Sequence, residues 1–248
     1  METNFNFYSK YYDLLYSSKN YNEEAEYVAD CINKYGSNAK DVLEFGSGTG
    51  IHGMLLRKMG YDVFGIERSE QMVEQAKLSG FPCMQADISD FKLERRFDIV
   101  LALFHVISYL NDNDSLVKTF RNAFNQLNPN GLFMFDIWYS PAVYYQKPET
   151  RVKNVENDEI SVIRFAEPEI HINANVVDVN YSILVKNKFT NQWLEFKEKH
   201  PMRHFSVPEI DLLARLTGFE IIQVEEFVTA NQPTENTWGV NFILRKKG

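Results

Sequence analysis

Residues 43–50 read LEFGSGTG, an apolar run that ends in glycines at 46, 48 and 50 and carries one acid, Glu44. A glycine-rich turn between a strand and a helix lets the backbone come close to a ligand and points the helix N-terminus at it. The spacing narrows the choice of ligand. A dinucleotide fingerprint sets its third glycine one residue later, where this chain has Ile51, and a phosphate-cradling P-loop ends in Gly-Lys-Ser/Thr, which is absent here.

Outward from this loop, short apolar runs alternate with amphipathic stretches, the sequence form of βαβ units on a parallel sheet. Strands are expected over 41–45, 62–66, 82–86, 97–103 and 132–137. Ile51, Met54, Leu55 and Met59 lie on one face of a helix closed by Gly60, and Ser69 and Gly80 bracket a second. A third is expected over 114–127, ended by a turn at NPNG. From about residue 159 to 205 the pattern changes to β-branched and aromatic residues in alternation, which reads as antiparallel strands. A helix with Pro208 in its first turn and Gly218 at its end follows, and two strands finish the chain.

Composition excludes several classes of function. Among 248 residues, 26 Lys and Arg face 34 Asp and Glu, a formal charge of -8 that repels a phosphate backbone and argues against a nucleic-acid partner. Cys31 and Cys83 have no metal-ligand spacing and read as buried thiols in a reducing cytoplasm. No signal-peptide core and no membrane-length apolar run is present, so no membrane partner is expected.

Two acids give the glycine loop its context. Glu67 ends the second strand about 20 residues beyond the loop, where an acid can bond both hydroxyls of a ribose. Asp87 follows the third strand at the same carboxyl edge, where open α/β sheets bind ligands.

On VLEFGSGTG, GIERSEQMVEQA and QADISDF, the chain resembles the class I S-adenosylmethionine-dependent methyltransferases. The resemblance implies a doubly wound α/β fold, with a seven-stranded Rossmann-like sheet and an antiparallel β-rich insertion. Residues 1–137 would form an N-terminal lid and the cofactor-binding core, 138–205 an insertion over the active site, and 206–248 the last helix and strand pair. With S-adenosylmethionine as cofactor, Glu44 and Gly46 would lie near its methionine portion, and Gly48 would also bind it. Glu67, with Arg68 beside it, would hold the ribose; Asp87 and Ile88 would flank the adenine, and Leu103 would lie beneath. Tyr12 and Tyr21 would close the pocket.

YYDLLYSSKNY, RRFDIVLALFHVISYL and DIWYSP are similar to the amino-sugar N-methyltransferases that act on nucleoside-diphosphate-linked sugars. That narrower likeness implies methylation of an amine on a nucleotide-linked sugar, with O-methylation of another metabolite and a non-catalytic binding role as alternatives. Methyl transfer is an in-line displacement, so positioning supplies much of the rate and a base takes the acceptor's proton. Tyr8, His105 and Tyr109 are the candidates for that base. Trp138, Tyr139, His200 and Arg203 are candidate substrate contacts, with Glu195 as an alternative partner for Arg203. His200, His204 and Glu198 could suggest a metal, but Pro201 breaks helical placement and none is expected. The expected partners are a small-molecule substrate and, at most, a second copy of the chain in a homodimer.

Overall fold

The computed structural model describes residues 14, 15 and 19–247, and the chain divides into two compact units. Of the described residues, the core unit holds Tyr21–Gln146 and those from Arg203 onward; the insert unit holds Lys147–Met202 with those before Tyr21. Tyr8 and Tyr12 lie outside the described residues.

In the core unit, α1 (Tyr21–Tyr35) precedes β1 (Asp41–Phe45), α2 (Ile51–Lys58), β2 (Asp62–Glu67), α3 (Glu70–Leu78), β3 (Cys83–Gln85) and β4 (Phe97–Ala102). Then come α4 (Asn113–Gln126), β5 (Leu127–Tyr139) and α5 (Ser140–Gln146). After the insert, the core resumes in the last residues of a strand that ends at Phe205, followed by α6 (Val207–Thr217), β10 (Phe219–Glu226) and β11 (Gly239–Lys246).

The core strands lie in the order β3-β2-β1-β4-β5-β11-β10. The first five are parallel, and β11 is antiparallel to both of its neighbours. Strand order therefore reverses between β1 and β4, and the loops leaving those two strands sit at the switch point where such sheets bind ligands. Both sheet faces are covered. Along β4, Val100 and Ala102 pack with α4 and α6, whereas Ile99 and Leu101 pack with α1, α2 and α3. That double burial is why these strands read as unbroken apolar runs.

Local signals set the element ends. Ser69 Oγ accepts the Met72 N–H at the start of α3, and Gly218, with φ 91°, ends α6. The turn expected at NPNG survives as an irregularity inside β5: pairing with β4 jumps from Phe97–Leu127 to Ile99–Leu132, and Asn130 has φ 64°. Two elements differ from the expectation. Ser140–Gln146, for which no element was expected, is a helix, because Pro is accommodated in a first turn where its missing N–H has no intrahelical partner to lose. The β-rich segment begins at Arg151, ahead of residue 159.

Two buried features fasten the core. Phe81 is 1% exposed, and Cβ atoms added at Gly50, Gly53 or Gly65 would each come within 3.0 Å of its ring. One side chain thus fills the space left empty by glycines of the β1–α2 loop, α2 and β2. On the other helix-covered edge, Tyr27 of α1 donates its hydroxyl to Glu225 Oε1 of β10 at 2.7 Å and accepts from Asn241 Nδ2 of β11 at 2.9 Å. Burial, together with Glu225, pushes the Tyr27 hydroxyl pKa far up, so it stays protonated as this donor.

The insert unit is an antiparallel sheet of β6 (Arg151–Glu156), β7 (Ile160–His171), β8 (Val176–Asn187) and β9 (Trp193–Phe205), the last strand ending in the core unit. Its small core joins Leu15, Ile160, Val162, Ile183 and Val185. No helix among the described residues is long and apolar enough to cross a membrane.

Phe81→Ala should lower unfolding free energy by about 3–5 kcal/mol, the range for emptying a buried aromatic site. Denaturant unfolding checks this; a loss under about 1 kcal/mol would show that the glycines do not depend on the ring.

Candidate functional site

The glycine loop leaves β1 with Gly46, Gly48 and Gly50 at φ 62°, 56° and 82°, in the left-handed region that other residues avoid. Gly46 has a second constraint: a Cβ there would meet Val106, in the loop after β4, at 2.5 Å. The loops from the two switch-point strands thus pack directly on one another.

Glu67, at the end of β2, is held by two backbone donors. Gly48 N–H donates to Oε2 at 3.0 Å and Ser69 N–H to Oε1 at 2.7 Å. Each carboxylate oxygen keeps a lone pair with which to accept from a ligand hydroxyl. Glu44, at the end of β1, is 2% exposed, and its Oε2 has no hydrogen-bond partner. Burial drives its pKa up to about 8, against the opposing bond from the Gly53 backbone, and the charge of Glu67 raises it further. Ser47 Oγ is also buried without a partner. A buried carboxylate oxygen and a buried hydroxyl left open beside the loop suit a ligand that brings a cation and a donor.

The remaining expected cofactor residues fall around this edge. Exposed Asp87 accepts from the Ser89 N–H at 2.8 Å and Ser89 Oγ at 2.7 Å. Partial burial works to raise its pKa, but those bonds and Arg68 outweigh it and leave the carboxyl below its usual range. Ile88 packs on the core and its carbonyl accepts from Asn122 at 2.9 Å, while Leu103 is buried and Arg68 is exposed. Tyr21 begins α1 and meets the His52 ring edge-on at 5.1 Å; His52 in turn lies 2.7 Å from Glu24.

After β4, Phe104 and His105 both take positive φ, 64° and 62°, unusual for non-glycine residues and concentrated at functional sites. This turn brings His105 onto Asp136 of β5. The His105 N–H donates to both carboxylate oxygens at 3.2 Å, and Nδ1 stands 2.6 Å from Oδ2. Nδ1 is buried and does not meet hydrogen-bond geometry, so this last contact is one of proximity. Trp138 meets the imidazole edge-on at 6.3 Å, and its backbone N–H donates to Ser108 Oγ at 3.1 Å. Tyr109, in the single turn Val106–Tyr109, is 45% exposed, and Tyr139 is half-buried on the core.

Asp136 was not among the expected site residues. Its signal was a single acid in the apolar strand LFMFDIW, since a fully buried carboxylate needs a partner.

Arg203 is engaged within the core. It donates to Glu209 at 2.6 Å and Asn113 at 2.8 Å, lies over the Phe205 ring and does not pair with Glu195, which meets Lys197. His204 is fully buried against Ser140 Oγ at 2.8 Å, and burial followed by the charge of Arg203 lowers its pKa to about 4, so it is neutral. His200, in the insert unit, pairs with Glu198 at 3.0 Å and meets the Tyr181 ring. Also in the insert unit, Glu169, His171 and Asp178 cluster closely, but the Lys199 ammonium stands 2.6 Å from Asp178 where a cation would compete.

Because Glu44 is buried, the folded chain holds a proton between about pH 4.5 and 8 that the unfolded chain has released, so its contribution to stability falls as pH rises through that window. Glu44→Gln should therefore match the wild type in melting temperature near pH 4 and gain on it steadily up to pH 9. Parallel curves in thermal unfolding across that range would contradict the assignment.

Residues 20–224 match the model of a family described as a methyltransferase domain. A dTDP-3-amino-3,4,6-trideoxy-alpha-D-glucopyranose N,N-dimethyltransferase of Streptomyces venezuelae is 26% identical over 218 residues, 86% of this chain and 90% of that one. An S-adenosylmethionine-dependent methyltransferase of Clostridium acetobutylicum superposes with a TM-score of 0.83 at 20% identity, covering 98% of this chain and 99% of that one. A sugar N-methyltransferase of Streptoalloteichus superposes at 0.82 with 24% identity, covering 96% and 93%. With the family match spanning most of its length, and the switch-point site built as described, the chain belongs to the methyltransferase domain family.

Proposed function

We propose that this chain transfers a methyl group from S-adenosylmethionine to the amine of a nucleotide-linked amino sugar. The observation that carries the cofactor half is the pair of acids on adjacent strands, Glu44 with an open buried oxygen and Glu67 fixed on two backbone N–H groups. Glu44 and Ser47 would hold the ammonium of the cofactor's amino-acid end, and Glu67 its ribose hydroxyls. When bound, the cofactor supplies a methyl group on a positively charged sulfur, which leaves as a neutral thioether. Glu44 is suited to this ligand because a cation beside it offsets the desolvation of its charged form.

The acceptor half draws on His105. An amine reaches an enzyme near neutral pH largely protonated, and only its free lone pair attacks, so a nearby base must take a proton at or before attack. His105 lies in the loop after β4 with Asp136 behind it, and Trp138 beside it offers an aromatic wall. Relatives that act on dTDP-amino sugars point to the same acceptor class.

Incubation with S-adenosylmethionine and dTDP-3-amino-3,4,6-trideoxyglucopyranose should yield singly or doubly methylated sugar by mass spectrometry. His105→Gln should lower kcat by about 10²–10⁴-fold, the usual contribution of a positioned base, while leaving cofactor affinity unchanged. Methylation of hydroxyl acceptors with amino sugars untouched would overturn the acceptor, and full turnover in His105→Gln would overturn the base.

A further inference from the structure

We propose that Asp136 is a positioning residue that fixes the tautomer and orientation of His105, so that Nε2 presents the lone pair that receives the acceptor's proton. This rests on the reading of His105 as the base.

Three observations converge on it. Asp136 is 1% exposed on a central strand, and a carboxylate desolvated to that degree is retained only where it is paired. It engages His105 through the backbone N–H at both oxygens and through the ring at Nδ1, so one carboxylate addresses the main chain and the side chain of the same residue. The loop takes two consecutive left-handed residues to make this approach, a cost that surrounding packing must sustain.

The chemistry follows from the ring. An anion against Nδ1 keeps the proton of the neutral imidazole on that nitrogen, leaving Nε2 unprotonated. Nδ1 is buried whereas the side chain as a whole is 26% exposed, so the exposed part of the ring lies away from Asp136. As the new N–C bond forms, a proton leaves the amine for Nε2, and the electron pair of the breaking S–C bond stays on sulfur. His105 is then an imidazolium, and Asp136 stabilises its charge.

The neighbours leave this role to Asp136. Phe104 and Trp138 flank the ring without titrating, and a Cβ at Gly239 on β11 would stand 3.7 Å from its Cε1. Asn241, opposite Asp136 in the β5–β11 ladder, is uncharged and bonded to Tyr27, whose hydroxyl stays protonated. Of the residues named around the imidazole, Asp136 alone carries a charge.

The test is ¹⁵N NMR of the histidine ring nitrogens in the cofactor-free protein, with His105 assigned by its loss in His105→Gln. The wild type should show the Nδ1–H tautomer. In Asp136→Asn that preference should weaken, as expected when a close anion is removed from Nδ1. An unchanged tautomer in Asp136→Asn would overturn the proposal without any acceptor being known. Turnover separates the two readings. With the amino sugar, Asp136→Asn should lose at least about tenfold in kcat with KM nearly unchanged. Wild-type turnover in His105→Gln, with the NMR result as expected, would leave Asp136 a positioning residue for a histidine that is not the base.

Discussion

The ring of Phe81 occupies the volume that Gly50, Gly53 and Gly65 leave free, and through it the glycine loop, the first turns of α2 and the middle of β2 close onto one another. That packing matters beyond its apolar area. It places the ends of β1 and β2 so near that the charge of Glu67 is felt at Glu44, and it holds the loop where Gly48 can donate to Glu67. A side chain at any of the three glycines would have to displace the ring or the backbone carrying it.

On this frame, electrostatics sorts the acids into distinct tasks. Glu67 takes two backbone N–H bonds and remains open to hydroxyls, whereas Glu44 is buried with one oxygen unmatched and holds its proton up to about pH 8. Asp136 is as deeply buried, yet it is turned onto His105. Three carboxylates at the ends of three strands thus meet different partners because the loops beside them supply different donors. An acid-lined edge also suits a cofactor that carries its positive charge on sulfur and nitrogen rather than negative charge on phosphate.

Much of this arrangement is legible in the sequence, and the exceptions have physical causes. The parallel strands stand out because burial on both faces makes them apolar throughout, and the loop stands out because only glycine adopts its backbone freely. Glu67 stands out by its distance from the loop along the chain. Asp136 does not, because its partner lies in a different loop and a lone acid in a strand gives no spacing to read. The helix at Ser140–Gln146 was hidden by Pro141, which signals a turn as readily as a first helical residue. The partner of Arg203 was expected to be a substrate or Glu195 because the residue six positions on, Glu209, reaches it only after α6 turns back.

The central claim is that the acids at the ends of β1 and β2 hold S-adenosylmethionine. Its most direct test is calorimetric titration of the wild type and Glu67→Ala with that cofactor. The account predicts binding to the wild type and a loss of about 10- to 100-fold in the variant, the effect of removing charged hydrogen bonds to two hydroxyls. Equal affinities, with both proteins folded, would place the cofactor elsewhere and contradict it.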